Sequence, residues 1–268
     1  MKMTKLSSAA ILIALVLGGT SIANADAKTK EMSGVIEFGE DDGSNPIVDP
    51  EKPTIPIPVD EIDENLDTGP LMIDGVTKLD FMKQKAVTTD QSYFAKQYTI
   101  KNESGSVVGT RGNFVQLTDK RIENRSPWTL KAKMTQQFTI ETPHVIRKLE
   151  GSRLTFTNTV INSANTNKAT WPTLGAEASS FVLTESGNSV NVMGTDDSDD
   201  GFGTYSVAFG SSAGVNGPTD TTGTPNATDA NLIENGSVSL FVPGNIKKEK
   251  SDSEGYKAKV LWTLEEAP

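Results

Sequence analysis

Along most of the chain apolar and polar residues alternate with a period of two, the repeat of a strand with one buried face. Trp128, Leu130, Ala132 and Met134 interleave with Thr129, Lys131, Lys133 and Thr135, and residues 138–140 extend the run. Residues 70–81 and 93–100 carry similar spacing, and residues 154–160 read as one half-buried strand. Tyr205, Val207 and Phe209 alternate, as do Val238, Leu240 and Val242, while Ala258, Val260, Trp262 and Leu264 share one face. Residues 181–183 and 190–193 flank Ser186-Gly187-Asn188, a hairpin turn signal. Residues 210–229, rich in Gly, Ser, Thr, Asn and Pro, predict a long exposed loop. No stretch keeps a helical period over three turns. The pattern predicts an all-β fold: an antiparallel β-sandwich or distorted barrel with long loops.

The first 69 residues follow other rules. Lys2 and Lys5 precede an apolar run at residues 9–17, Gly18-Gly19 breaks it, and Ala23-Asn24-Ala25 offers a small-x-small cleavage site. This is the layout of a secretory signal peptide over residues 1–25, and the run is far short of the ~20 residues that span a bilayer. Residues 26–69 then hold 13 acidic and 3 basic residues, a net charge of −10, whereas residues 70–268 carry only −2. Within this acidic arm, Ser33-Gly34-Val35-Ile36-Glu37-Phe38 predicts a short strand, which needs a partner and is expected to pair with the β domain of residues 70–268. Pro46, Pro50, Pro53, Pro56 and Pro58 predict an extended, solvated linker between the two.

Composition removes several classes of function. The chain has no Cys and one His, His144, so a thiolate or histidine metal cluster, a disulfide scaffold and a thiol nucleophile are all excluded. A formal charge of −10 argues against general binding to nucleic acid or anionic membranes. No nucleophile elbow and no carboxylate pair in apolar context is evident, so neither catalysis nor a cofactor is expected.

Trp128-Thr129-Leu130 and Trp262-Thr263-Leu264 repeat one tripeptide, each inside an alternating strand. With Ser33 to Phe38, then Gly69-Pro70-Leu71-Met72-Ile73-Asp74, Leu79-Asp80-Phe81 and Val242-Pro243-Gly244, these residues make the mature chain resemble the WxL-domain proteins of the Gram-positive cell surface. The resemblance implies non-covalent attachment to the cell wall with peptidoglycan as ligand. It also implies a membrane-anchored WxL-interacting protein as companion, in a surface complex. An adhesin for host ligands is a further alternative. Glu265-Glu266-Ala267-Pro268 carries no sortase signal or hydrophobic tail, so retention by binding rather than by a covalent anchor or membrane insertion is expected.

The candidate ligand-binding residues are Trp128, Leu130, Trp262, Leu264, Trp171, Lys131, Lys133 and Arg125. An indole face can hold a sugar ring, but Trp and Leu on one strand face equally describe a core. Trp171-Pro172-Thr173-Leu174 is an imperfect third copy, expected on a loop, either as a sugar platform or tucked beneath its own loop. Lys120, Arg121, Arg125, Lys131 and Lys133 surround the first motif, where cations can meet wall phosphates or carboxylates or simply be solvated. Asp196-Asp197-Ser198-Asp199-Asp200-Gly201 follows the start of a calcium loop, but Val207 stands where a bidentate Glu is required, so no metal site is assigned.

Overall fold

The computed structural model describes residues 34–102, 104–142, 145–212, 223–225, 233–250 and 255–267. The signal segment, His144 and most of the 210–229 stretch lie outside them. The chain divides into two units, Met1–Phe38 and Gly39–Pro268. In the first, residues 34–38 carry no ladder pairing, and Val35, Ile36 and Phe38 are exposed.

The second unit is made of strands. In chain order they are β1 (Val48–Asp49), β2 (Lys52–Pro56), β3 (Ile62–Glu64), β4 (Leu71–Thr77), β5 (Gln91–Lys96), β6 (Tyr98–Lys101), β7 (Val107–Arg111) and β8 (Asn113–Asp119). They continue as β9 (Trp128–Thr142), β10 (Val145–Lys148), β11 (Arg153–Thr157), β12 (Thr159–Ser163), β13 (Thr173–Leu174), β14 (Ser180–Leu183) and β15 (Val190–Gly194). The last four are β16 (Gly203–Phe209), β17 (Gly223–Pro225), β18 (Ile233–Val242) and β19 (Lys257–Glu266). A 3₁₀ turn at Lys168–Thr170 is the one helical element among the described residues.

All described ladders are antiparallel and no sheet closes on itself, which makes the fold an open β-sandwich. One sheet runs β12-β16-β8-β4-β3, and a second joins β14-β11-β18 with β17 and β5 on β18. The third centres on β9, with β10 and β15-β13 on one side and β19 on the other. Their inner faces close on one core: Val115, Leu117 and Val207 from the first, Leu154, Phe156 and Leu240 from the second, Trp128, Leu130 and Met134 from the third. Phe156 stacks on Phe181 at 4.9 Å and tilts against Phe209 at 4.8 Å, arrangements that add to the burial of the rings.

Three features depart from the alternation. The run at 154–160 is two strands, because Asn158 takes a φ of 53° and turns the chain from β11 in one sheet to β12 in another. Asn enters this left-handed region more readily than other residues with a Cβ. Residues 181–193 form no hairpin: β14 pairs β11 while β15 pairs β9, so Ser186-Gly187-Asn188 lies in an arch between sheets. The connection of six residues is long enough to cross a sandwich about 10 Å thick. Within residues 210–229, β17 pairs with β18.

The proline-rich arm is not a solvated linker. β1 and β2 form a small hairpin, β3 extends the β4 sheet, and Ile47, Ile57 and Ile62 pack with Tyr98, Phe114 and Ala208 in a second core. The reason lies in β8, buried over all seven residues and therefore apolar on both faces or satisfied on both. The arm supplies the cover. Pro50 sits in the turn between β1 and β2, Pro53 and Pro56 lie in β2 at the edge of this hairpin, and Pro46 and Pro58 lie outside the strands. Buried polar groups are also matched: Val48 N donates to Gln116 Oε1 at 2.8 Å, and Gln116 Nε2 and Thr118 Oγ1 donate to Asp74 Oδ2 at 2.9 and 2.7 Å.

Arg111 donates through Nε to Asp49 Oδ1 at 2.5 Å and through Nη2 to Asp49 Oδ2. Burial pushes the Asp49 carboxyl up, but hydrogen bonds from Arg111 and the Glu51 N–H outweigh it and hold the group below its ordinary 3.8. Asp74 goes the other way: burial raises it despite its hydrogen bonds from Gln116, Thr118 and Asn45. A lowered carboxyl contributes stability above its unfolded value and loses it as pH falls through the folded one; a raised carboxyl has the opposite sign. The Asp49→Asn variant is therefore expected to lose less stability than the parent between about pH 5 and pH 2, measured as the shift in urea midpoint with pH.

Candidate functional site: the paired W-x-L ladder

The two W-x-L tripeptides lie side by side. β19 pairs antiparallel with β9 in a register that sets Leu264 opposite Leu130, Trp262 opposite Ala132 and Val260 opposite Met134. All six point inward. The intervening residues face out, with Lys133 opposite Leu261, Lys131 opposite Thr263 and Thr129 opposite Glu265.

Trp128 is 1% exposed and Leu130 is fully buried, so both belong to the core and offer no side-chain surface to a ligand. Thr195 N donates to Trp128 O at 2.9 Å, and Trp128 N donates to Thr195 Oγ1 at 3.1 Å. Gly201 covers the ring with a φ of +76°, and a Cβ there would stand 2.6 Å from Thr195 Cγ2 and 3.1 Å from the indole. Only glycine suits both the dihedral and the approach. Trp262 and Leu264 are half-buried. The Trp262 ring lies 6.1 Å from Phe209 and 6.5 Å from Phe156, and it borders a groove of about 850 Å³. Residues 256–262 form one wall of that groove, residues 76–79 and 113–115 the other, with Phe138, Leu154, Phe156 and Phe209 between them.

The cations around the first motif separate into two groups. Arg121 donates to both oxygens of the buried Asp119, at 3.0 and 2.9 Å, and to Glu266 Oε2 at 2.6 Å. The hydrogen bond to Asp119 outweighs burial and raises the Arg121 guanidinium above its ordinary value. Arg125 Nη2 donates to Asp200 O at 2.6 Å and its guanidinium lies 5.5 Å from the Phe202 ring centre. Lys120 donates to Gly43 O at 2.7 Å and pairs with Asp41. These three hold the fold together. Lys131 and Lys133 stand on the outer face instead. Lys131 pairs with Glu265 at 2.5 Å, whereas the Lys133 ammonium has no acidic partner among the described residues. With Leu261, Thr263 and Ser189 they line a shallow depression of about 160 Å³.

The sequence model of a family described as "WxL domain surface cell wall-binding" matches residues 25–268, nearly the whole chain. The chain belongs to the WxL family. No curated protein and no solved structure matches it. The WxL domain is thus a surface, cell wall-binding domain, and none of its described helices is long and apolar enough to cross a membrane.

Elsewhere in this WxL domain the remaining candidates are placed as follows. Trp171 follows the 3₁₀ turn, half-buried, donating through Nε1 to Asn165 O at 3.0 Å. Tyr205 meets it edge-on at 6.0 Å and Lys168 Nζ lies 5.3 Å from its ring centre. It is anchored to its own loop. In the acidic turn, Asp197 Oδ1 accepts from Asp199 N at 2.9 Å, and no group of three or more His, Cys, Asp or Glu is placed to hold a metal among the described residues. Gly210-Ser211-Ser212-Ala213-Gly214 does spell G-x-S-x-G. Ser212 Oγ donates to Glu51 Oε2 at 2.6 Å, which gives this hydroxyl a structural role in fastening the arm. Sequence reasoning missed Leu261, an apolar residue in the polar phase of β19 and 53% exposed. That break in alternation was its signal.

Replacing Trp128 by Ala empties a closed core site and is expected to cost roughly 3–5 kcal/mol in urea unfolding. Trp262→Ala, half-exposed, is expected to cost distinctly less, and Gly201→Ala to destabilise although it adds only a methyl group.

Proposed function

We propose that this protein is a non-catalytic cell-wall surface protein, exported by its signal segment and held without a covalent bond, whose WxL domain binds peptidoglycan through the outer face of the β9–β19 ladder. The carrying observation is Lys133, without an acidic partner among the described residues, beside exposed Leu261 and half-buried Thr263, directly behind the two W-x-L motifs of a cell wall-binding family. Peptidoglycan presents carboxylates, hydroxyls and N-acetyl methyl groups at close spacing. Lys131 and Lys133 suit the carboxylates, Thr129 and Thr263 the hydroxyls, and Leu261 the methyl groups. Trp128, Leu130 and Leu264 act beneath this face by keeping it flat and in register. The arm's net charge of −10 opposes bulk attraction to anionic wall polymers, so recognition is short-range.

The mature protein is expected to sediment saturably with purified peptidoglycan, and to release no muropeptides. Lys133→Glu combined with Leu261→Ser is expected to weaken this at least tenfold with the melting temperature unchanged. Sedimentation only with a membrane-anchored companion, or binding to host ligands alone, would replace this reading with that of a complex subunit or an adhesin.

A further inference from the structure

The outer face of the β9–β19 ladder is built unlike the inner one. Trp128 and Trp262 point into the core, and no outward residue between Thr129 and Lys133 or between Lys259 and Glu265 is aromatic. A sugar ring therefore has no indole or phenyl face to lie on there. The face offers charge and aliphatic surface instead. Lys131 is neutralised by Glu265. Lys133, across the ladder from Leu261, and Lys259, two residues before it, are exposed and have no acidic partner among the described residues. Leu261 is 53% exposed, and the hydroxyls of Ser189 and Thr263 make no hydrogen bond among the described residues.

Size narrows the ligand further. Lys131, Lys133, Ser189, Leu261, Thr263 and Glu265 line a depression of about 160 Å³. Clefts that enclose a whole small ligand run to about 300–1,000 Å³, so this one holds the end of a chain rather than a disaccharide. Side chains on one face of a strand stand about 7 Å apart, which places the free Lys133 ammonium at one end of the depression and the closed Lys131–Glu265 pair at the other. Lys259 adds positive potential at the Lys133 end. The fitting chain end carries one carboxylate, one small apolar group and an amide.

We infer that this depression recognises peptidoglycan by the free C-terminal alanine of its stem peptide, which rests on the peptidoglycan reading above and narrows it from the polymer to one group. The alanine carboxylate meets the Lys133 ammonium, its methyl group lies against Leu261, and the preceding amide meets the hydroxyls of Thr263 and Ser189. The glycan strand stays outside the depression. Stem peptides keep a terminal alanine carboxylate only where they are not cross-linked, so the protein would favour un-cross-linked wall.

Titration of the mature protein with N-acetyl-D-alanyl-D-alanine and with its C-terminal amide, followed by amide NMR shifts, tests this. Saturable shifts are expected at Lys133, Leu261 and Thr263, with the carboxylate form binding about fivefold tighter than the amide, the order of a solvent-exposed charge pair. Lys133→Gln is expected to bring the two affinities together, and Leu261→Ser to weaken both alike, with the melting temperature unchanged in each. In sedimentation, peptidoglycan amidated at its carboxyl groups, and glycan strands freed of peptide by an amidase, are expected to retain markedly less protein than untreated peptidoglycan. Equal retention by either, equal affinity for dipeptide and amide, or displacement of the dipeptide by inorganic phosphate at the same concentration overturns the stem-peptide assignment and leaves peptidoglycan binding standing. Failure to sediment with untreated peptidoglycan overturns both.

Discussion

The register in which β19 meets β9 governs the principal core. Trp262, a large ring, faces Ala132, a small side chain, and Leu264 faces Leu130, so bulk alternates across the ladder and the inner face closes on the Phe156, Phe181 and Phe209 rings. A one-residue slip of β19 would turn Trp262 and Leu264 to solvent and bring Lys259 and Thr263 inside. Arg121 guards against it at the ladder's end, joining the buried Asp119 of β8 to Glu266 of β19. Removal of one partner would strand a buried charge, a penalty larger than the gain of any exposed pair. The outer face inherits its order from this pairing, since Lys131, Lys133, Leu261 and Thr263 can be neighbours only in that register.

A second constraint concerns the acidic arm. Its charge repels itself in an extended chain, yet much of it is spent on specific contacts in the fold. Asp49 meets Arg111, Glu51 meets Ser212, Glu61 meets Lys96 at 2.7 Å and Asp41 meets Lys120. Burial pushes the Glu61 carboxyl up, but Lys96 and Thr99 outweigh it and hold it below its ordinary value. The arm thereby covers the outer side of β8 and β16 and makes that sheet an interior layer.

Much of the strand inventory was legible because alternation depends on nearest neighbours in sequence. Trp128 to Met134 buries the predicted phase, Ala258 to Leu264 half-buries it, and Tyr205 to Phe209 buries it together with the intervening Ser206 and Ala208. Sheet membership was not legible. Nothing local in residues 154–160 says that Asn158 leaves one sheet for another, and nothing in residues 181–193 distinguishes an arch from a hairpin. The burial of β8 was hidden by Gln116, Thr118 and Asp119, whose polarity reads as exposure until Asp74, Val48 and Arg121 are found beside them. For the same reason sequence grouped Arg125 with Lys133. Only long-range partners, Asp200 and Asp119 for the arginine, separate a structural cation from an available one.

The Arg121–Glu266 clamp joins residues 145 positions apart. During synthesis β9 therefore exists long before the strand that completes its flank. Trp128 to Met134 can nucleate against β15, yet the side awaiting β19 stays bare until residues 257–266 emerge. Closure of this sandwich is a non-local event, and a growing chain must shelter a row of indole and aliphatic surface until β19 arrives.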